Sequence, residues 1–279
     1  VIGRDTRRSG PMLEDALCAG VASAGGIALR AGVLPTPGVA VLVREHRADL
    51  GVAFDGDGDR IGVVDSSGQI IWPDQLLLFL ATDVLAALPR AAIVGDVKSS
   101  RVLFDGVRDL GGRPVMAPSG YVLVREAMLR ERAPLAGEMS GHILFADCWH
   151  RTDDALFNAM RLLATIGRQD CSLAQFRNNL PVTVATPELR LPCSERRKAS
   201  VLREVAERLR RSGAGLDTTD GLRVTTPTGW WLLRTSGTES KLTARCEATD
   251  AEGLESLKRE LVSQLRQSGM DIGEIMHLR

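Results

Sequence analysis

Residues 55–60 read Asp-Gly-Asp-Gly-Asp-Arg and follow directly on the apolar run Leu50-Gly51-Val52-Ala53-Phe54. Three carboxylates at alternate positions, separated only by glycine, repel one another unless a cation sits among them. The glycines free the backbone to aim several oxygens at one point. Hard oxygen donors clustered this way suit Mg2+ or Ca2+. An EF-hand does not fit, because its sixth position, glycine, is Arg60 here and its twelfth, glutamate, is Ser66. A strand running into an acidic loop that closes on an arginine points to metal or phosphate chemistry rather than to a plain acidic turn.

Three further segments carry chemistry. Arg234-Thr235-Ser236-Gly237-Thr238-Glu239-Ser240 gathers a guanidinium, short hydroxyls and backbone N–H groups, a set that cradles a phosphate. A polar hairpin loop has the same composition, so this signal is not decisive alone. Gly137-Glu138-Met139-Ser140-Gly141-His142 places a carboxylate, a hydroxyl and an imidazole within five positions, suited to neighbouring sugar hydroxyls; a turn is the plainer reading. Lys98, after an apolar strand, could act as a general acid or base if its environment lowers its pKa. Arg4, Arg7 and Arg8 beside Ser9-Gly10 could face an anion at a helix start.

The elements that must position these loops follow from hydrophobic period and punctuation. Strands are expected at Val1-Ile2, 27–33, 50–54, 91–94, 114–116 and 135–136, alternating with helices from Pro11, over 38–46, 74–88, through Leu110, over 122–131 and over 153–166. Residues 61–64 and 69–72 read as a hairpin around Ser-Ser-Gly. The predicted fold class is α/β, with mixed, mostly parallel sheets and helices, followed by a smaller α+β C-terminal domain built from an extended stretch at 182–191, helices over 196–212 and 251–267, and strands at 221–226, 230–234 and 242–248. Domain limits are expected at 1–69, 70–181 and 182–279.

Length and composition bound the rest. The chain has 279 residues, enough for about two domains. Lys plus Arg and Asp plus Glu number 35 each, and aromatics are 4%, which argues against a nucleic-acid surface. Five scattered cysteines without CxxC spacing suggest reduced thiols in a cytoplasmic protein rather than a disulfide framework or zinc site. The longest apolar stretch, Leu76 to Leu88, is broken by Thr82 and Asp83 and is too short to span a bilayer, and no signal segment opens the chain.

Taken in order, the loops at 3–10, 55–60, 137–142 and 234–240 resemble those of the α-D-phosphohexomutase superfamily. Ala136-Gly137-Glu138-Met139-Ser140-Gly141-His142 and Gly229-Trp230-Trp231-Leu232-Leu233-Arg234 resemble its phosphomannomutase/phosphoglucomutase branch. Such enzymes move a phosphoryl group between C1 and C6 of a hexose phosphate, using a phosphoserine, a bound Mg2+ and a bisphosphorylated intermediate. The resemblance implies Asp55, Asp57 and Asp59 as Mg2+ ligands, and catalytic roles for Lys98, Arg60 and Arg4. It further implies sugar contacts from Gly120, Tyr121, Glu138, Ser140 and His142, and phosphate contacts from Arg234, Ser236, Gly237 and Thr238. It implies a monomer acting on mannose or glucose 1- or 6-phosphate, with no nucleic-acid or membrane partner. Two departures stand out. Tyr121 follows Gly120 where the family carries histidine, and the family's Ser-His-Asn-Pro nucleophile loop occurs nowhere in the sequence. Ser9, Ser99 and Ser100 lie in loops without the context of an activated nucleophile. An internal deletion is inferred that removes the serine loop and most of a second domain. Residues 50–54 are then expected to take the place of the lost serine-bearing strand, or else to leave an exposed edge.

Overall fold

The computed structural model describes residues 1–270 except Thr238. It divides into two compact units, Val1–Leu180 and Pro181–Arg279, the second being described here as far as Met270.

The first unit opens with β1 (Ile2–Arg4), α1 (Gly10–Ser23), β2 (Arg30–Val33), α2 (Thr36–Glu45), β3 (Leu50–Phe54), β4 (Ile61–Asp65) and β5 (Ile70–Ile71). The prolines Pro11 and Pro37 fall in the first turns of α1 and α2, where a missing N–H costs nothing. These strands form one sheet in the order β2-β1-β3-β4-β5. β3 runs parallel to β1, with Ile2 opposite Val52, and antiparallel to β4, with Phe54 opposite Ile61. The strand that delivers the acidic loop is therefore interior and hydrogen-bonded on both sides. Its faces divide by alternation: Gly51 takes Val39 and Val43 of α2 against it, while Val52 and Phe54 join Ile2 and Leu17 of α1 in the main core. The strand expected over 27–33 begins only at Arg30, leaving Ile27 exposed.

Next come α3 (Pro73–Ala87), β6 (Ala92–Asp96), α4 (Arg101–Asp109), β7 (Arg113–Ala117), α5 (Tyr121–Glu131), β8 (Leu135–Gly137), β9 (Ile143–Phe145), α6 (Ala155–Arg168) and α7 (Leu173–Asn179). A second sheet has the order β7-β6-β8-β9, parallel except for the last pair. One face, with Ile93, Leu135 and Phe145, packs into the core shared with α3, α4 and α6. The other, with Val94, Ala136 and Leu144, packs on Val124 and Met128 of α5. The first sheet ends at Ile71, two residues beyond the expected limit, and one core runs on into the second.

The second unit contains β10 (Val184–Ala185), β11 (Leu189–Pro192), α8 (Glu195–Ser212), β12 (Gly215–Asp217), β13 (Leu222–Thr226), β14 (Gly229–Thr235), β15 (Lys241–Ala248) and α9 (Ala251–Gln267). Its sheet is antiparallel throughout, in the order β10-β15-β14-β13-β12, with β11 also on β15. Trp231, Leu233 and Cys246 share a core with Val201 and Val205 of α8 and Leu257 and Leu261 of α9. All five cysteines are free, and burial pushes the Cys246 thiol up to about 12. Among the described residues no helix is long and apolar enough to cross a membrane.

Candidate functional site

The acidic loop leaves the end of β3 and returns into β4, so its carboxylates gather at one end of the first sheet. Carboxylate oxygens of Asp55, Asp57 and Asp59 lie within 4.8 Å of one another. Local bonds hold them there. Asp55 accepts from the backbone N–H of Asp59 at 3.2 Å and of Arg60 at 3.1 Å, and from Arg60 Nε at 2.6 Å. Arg7, from the turn before α1, donates to Asp57 at 2.9 Å. Ser9 Oγ donates to the Gly56 carbonyl, and the Gly58 carbonyl accepts from Ala155 N at 2.8 Å. The bare Cα of Gly56 lets the Arg7 side chain pass against it, where a Cβ would stand 1.7 Å from Arg7 Cδ and push that arginine aside.

Charge is unevenly distributed across the trio. Burial opposes ionisation of Asp55, but its bonds with Asp59 and Arg60 outweigh this and hold it below the ordinary carboxylate range. Asp59 is pushed above that range by burial and by Asp55. The adjacent like charges are what a divalent cation neutralises, and three carboxylate oxygens form the hard donor set that Mg2+ prefers, so these residues fit it.

The loop at 137–142 lies directly alongside. Arg60 and His142 form an isolated antiparallel bridge, and Ile61 N donates to the Gly141 carbonyl at 3.4 Å. His142 Nδ1 is 2.7 Å from Asp153 Oδ2 and 3.7 Å from Asp59 Oδ2. Tyr121, at the start of α5, tilts against the same imidazole with ring centroids 6.0 Å apart. Ser140 is exposed at the turn's tip. Glu138 is buried; its carboxylate accepts from Gly120 N at 2.8 Å, and burial followed by the charge of Asp96 pushes its pKa up. Gly120 has φ 133, a conformation open to glycine and strained for other residues. Lys98 sits half-buried in the turn between β6 and α4, close enough for its charge to act on Glu138.

These segments all follow carboxyl ends of strands in the second sheet, where open α/β sheets bind ligands. Asp96, fully buried at the end of β6, ties them together: its Oδ1 accepts from Ser99 Oγ at 2.9 Å and from Met139 N at 3.2 Å. Asp74 at the start of α3 accepts from Ser100 N at 2.8 Å. Arg4, at the end of β1, pairs with the buried Glu14 of α1 at 2.9 Å.

In the second unit, Arg234 is the penultimate residue of β14 and pairs with Asp220 at 2.8 Å. Ser236 N donates to the Lys241 carbonyl at 3.0 Å, and Ser236 Oγ accepts from Glu239 N at 3.1 Å, which closes the loop on itself with Gly237 exposed. Thr238 lies outside the described residues. Lys198 of α8 is buried beneath this loop.

Sequence reasoning missed Asp153, Asp96, Asp220 and Lys198. The Asp153-Asp154 pair was visible as a helix-opening signal, and Asp154 does cap α6 by accepting from Phe157 N at 2.9 Å. Nothing local marks the other three: Asp220 meets Arg234 of β14, and Lys198 and Asp96 reach Ser236, Glu239 and Met139, 38 to 43 positions away.

Comparison with known proteins bears on the same loops. Residues 1–60 match the family model for phosphoglucomutase/phosphomannomutase alpha/beta/alpha domain I, residues 72–184 that for alpha/beta/alpha domain III, and residues 188–264 that for the C-terminal domain. A phosphomannomutase/phosphoglucomutase of Pseudomonas aeruginosa is 41% identical over 225 residues, covering 80% of this chain and 48% of that protein. A phosphoglucomutase of Neisseria gonorrhoeae is 39% identical over 76% of this chain and 46% of its own length. The crystal structure of a phosphoglucomutase/phosphomannomutase family protein from Burkholderia thailandensis superposes with a TM-score of 0.85 at 34% identity, over 97% of this chain and 61% of that one. The chain spans about half the length of the curated relatives it matches.

Proposed function

The chain belongs to the phosphoglucomutase/phosphomannomutase family, and from that premise we propose that it is a phosphohexomutase-type protein that binds Mg2+ and a mannose or glucose phosphate. Asp55, Asp57 and Asp59 would hold the metal, which when bound neutralises charge on a transferring phosphoryl group. Glu138, Ser140 and His142 read sugar hydroxyls, with Gly120 and Tyr121 beside them. Arg60 and Lys98 supply positive charge to the reacting end. Arg234, Ser236, Gly237 and Thr238 hold the distal phosphate. Arg4, paired with Glu14, is the third residue given a catalytic role. Residues 1–69 are on this reading a hybrid remnant of the family's first two domains.

The observation that carries the proposal is the bridge between Arg60 and His142, which sets the carboxylate trio and the sugar-reading loop side by side. Phosphoryl transfer between C1 and C6 needs an acceptor, and Ser9, Ser99 and Ser100 are otherwise engaged. Ser9 donates to Gly56, Ser99 is buried against Asp96, and Ser100 caps α4 by accepting from Val102 N at 3.0 Å. This favours a second reading over full turnover: a Mg2+ and sugar-phosphate binding protein that has lost the mutase reaction. Incubation with mannose 1-phosphate or glucose 1-phosphate plus a trace of the 1,6-bisphosphate separates the two. Formation of the 6-phosphate establishes a mutase. Calorimetric binding without conversion establishes the binding protein. Absence of both rejects the proposal.

A further inference from the structure

We propose that Lys198 is a positioning residue of the anion loop, a buried ammonium that pins the carbonyls of Ser236 and Glu239 and lends the loop positive charge. The inference rests on reading Arg234–Ser240 as the phosphate-ester loop.

Lys198 occupies a place where the helix pattern calls for a hydrophobic residue. It shares the inward stripe of α8 with Val201, Val205 and Leu209, and is 7% exposed, while its neighbours Arg196 and Arg197 are exposed. An ammonium in such a position costs heavily unless each of its three N–H groups finds a partner. Here all three do. Nζ donates to the Ser236 carbonyl at 2.8 Å and the Glu239 carbonyl at 3.0 Å, and lies 2.8 Å from Glu195 Oε1. Glu195 in turn accepts from Ser240 Oγ at 3.1 Å, and Cys193 N donates to the Ser240 carbonyl at 3.1 Å.

The loop is thus gripped from beneath at Ser236, Glu239 and Ser240. An apolar side chain would fill the stripe at lower cost, so packing does not explain the lysine; the loop does. With these carbonyls drawn down onto Lys198, Ser236 and Glu239 are anchored before any anion arrives, and anchored groups lose less freedom on binding. The two charges of the pair are unequally screened. Glu195 stands 63% exposed in solvent, and Lys198 is 9% exposed in its side chain, so water screens the carboxylate more than the ammonium.

The full chain is titrated with mannose 1-phosphate and with inorganic phosphate by calorimetry, alongside K198M, K198R and R234A, each checked by circular dichroism and melting temperature. K198M is expected to bind mannose 1-phosphate about tenfold or more weakly, the scale of one lost charge-assisted interaction, and K198R to recover part of that loss. In the wild-type protein the Lys198 side-chain 15N resonance is expected to exchange slowly and to shift as inorganic phosphate saturates the loop. K198M with a native spectrum and wild-type affinity overturns the inference. So does a Lys198 resonance unmoved by saturating phosphate, which decides the matter even where K198M does not fold. Wild-type protein that binds neither ligand overturns the phosphate-ester reading itself, a result distinct from either.

Discussion

The acidic corner of the first unit and the anion loop of the second are electrostatic opposites built by the same device. Around Asp55, Asp57 and Asp59, negative charge is concentrated and held by arginines: Arg60 on Asp55 at 2.6 Å and Arg7 on Asp57 at 2.9 Å. Around Arg234, positive charge is held by Asp220 at 2.8 Å, while Lys198 grips the loop's carbonyls. Each region keeps its own counter-charges. The supports differ in kind. The acidic corner is braced by exposed side chains and by glycines that admit them, whereas the anion loop stands on a buried lysine. The first should be the softer of the two, and the second the more pre-ordered.

Substitutions that act on one region alone test this separation. The largest effect is expected from Arg234→Ala, which removes the loop's guanidinium. Sugar-phosphate affinity should fall about a hundredfold, with Mg2+ affinity unchanged, both read by calorimetry. An equal loss in both would show that the regions do not act separately. The reverse pattern is expected from the double change Asp57→Asn and Asp59→Asn. Mg2+ affinity should drop at least about tenfold while metal-free ester binding stays near wild type, because two hard anionic donors become neutral amides.

A smaller effect concerns the far end of the strand that leaves the acidic loop. Asp65, fully buried at the end of β4, receives Arg177 of α7 at 2.7 Å and Ser67 Oγ at 2.6 Å. Burial opposes its charge, but these bonds prevail and hold its pKa below the ordinary range. The unfolded chain therefore takes up the proton first. The stability that Asp65 supplies is complete above the usual aspartate value, about 3.9, and disappears as pH falls below it towards the depressed folded value. Asp65→Asn should cost about 2 kcal/mol at neutral pH and flatten the acid limb of the urea-denaturation profile over that window. An unchanged acid limb would remove Asp65 from the account. The smallest effect is expected from Tyr121→His, which places the family's residue beside His142. Ester affinity should change no more than about fivefold, the scale of a single neutral hydrogen bond, and a larger change would make Tyr121 a principal contact.

Much of this organisation was legible in advance. The helices over 38–46, 74–88, 196–212 and 251–267 follow from apolar period to within two residues, and the strand at 50–54 with both its limits. Short elements escaped notice. α7 announces itself only through the capping box of Ser172 and Gln175, and β12 has three residues whose strand character comes from pairing with β13. The strand at 27–33 was drawn too long because Ile27 is apolar, although the structure leaves it 88% exposed.

The sequence alone determined which chemistry this chain can offer. Alternating aspartate and glycine, an arginine before a run of hydroxyls, and a glutamate, serine and histidine between glycines are local facts that no fold alters. Only the tertiary structure decided which of these groups meet. The pairing of β3 with β1, the grip of Asp96 on the loop of Met139 and the place of Lys198 under Ser236 all join residues far apart in the chain. Such contacts are set by how sheets close their hydrogen bonds and bury both faces, a condition on the whole unit that no single segment contains.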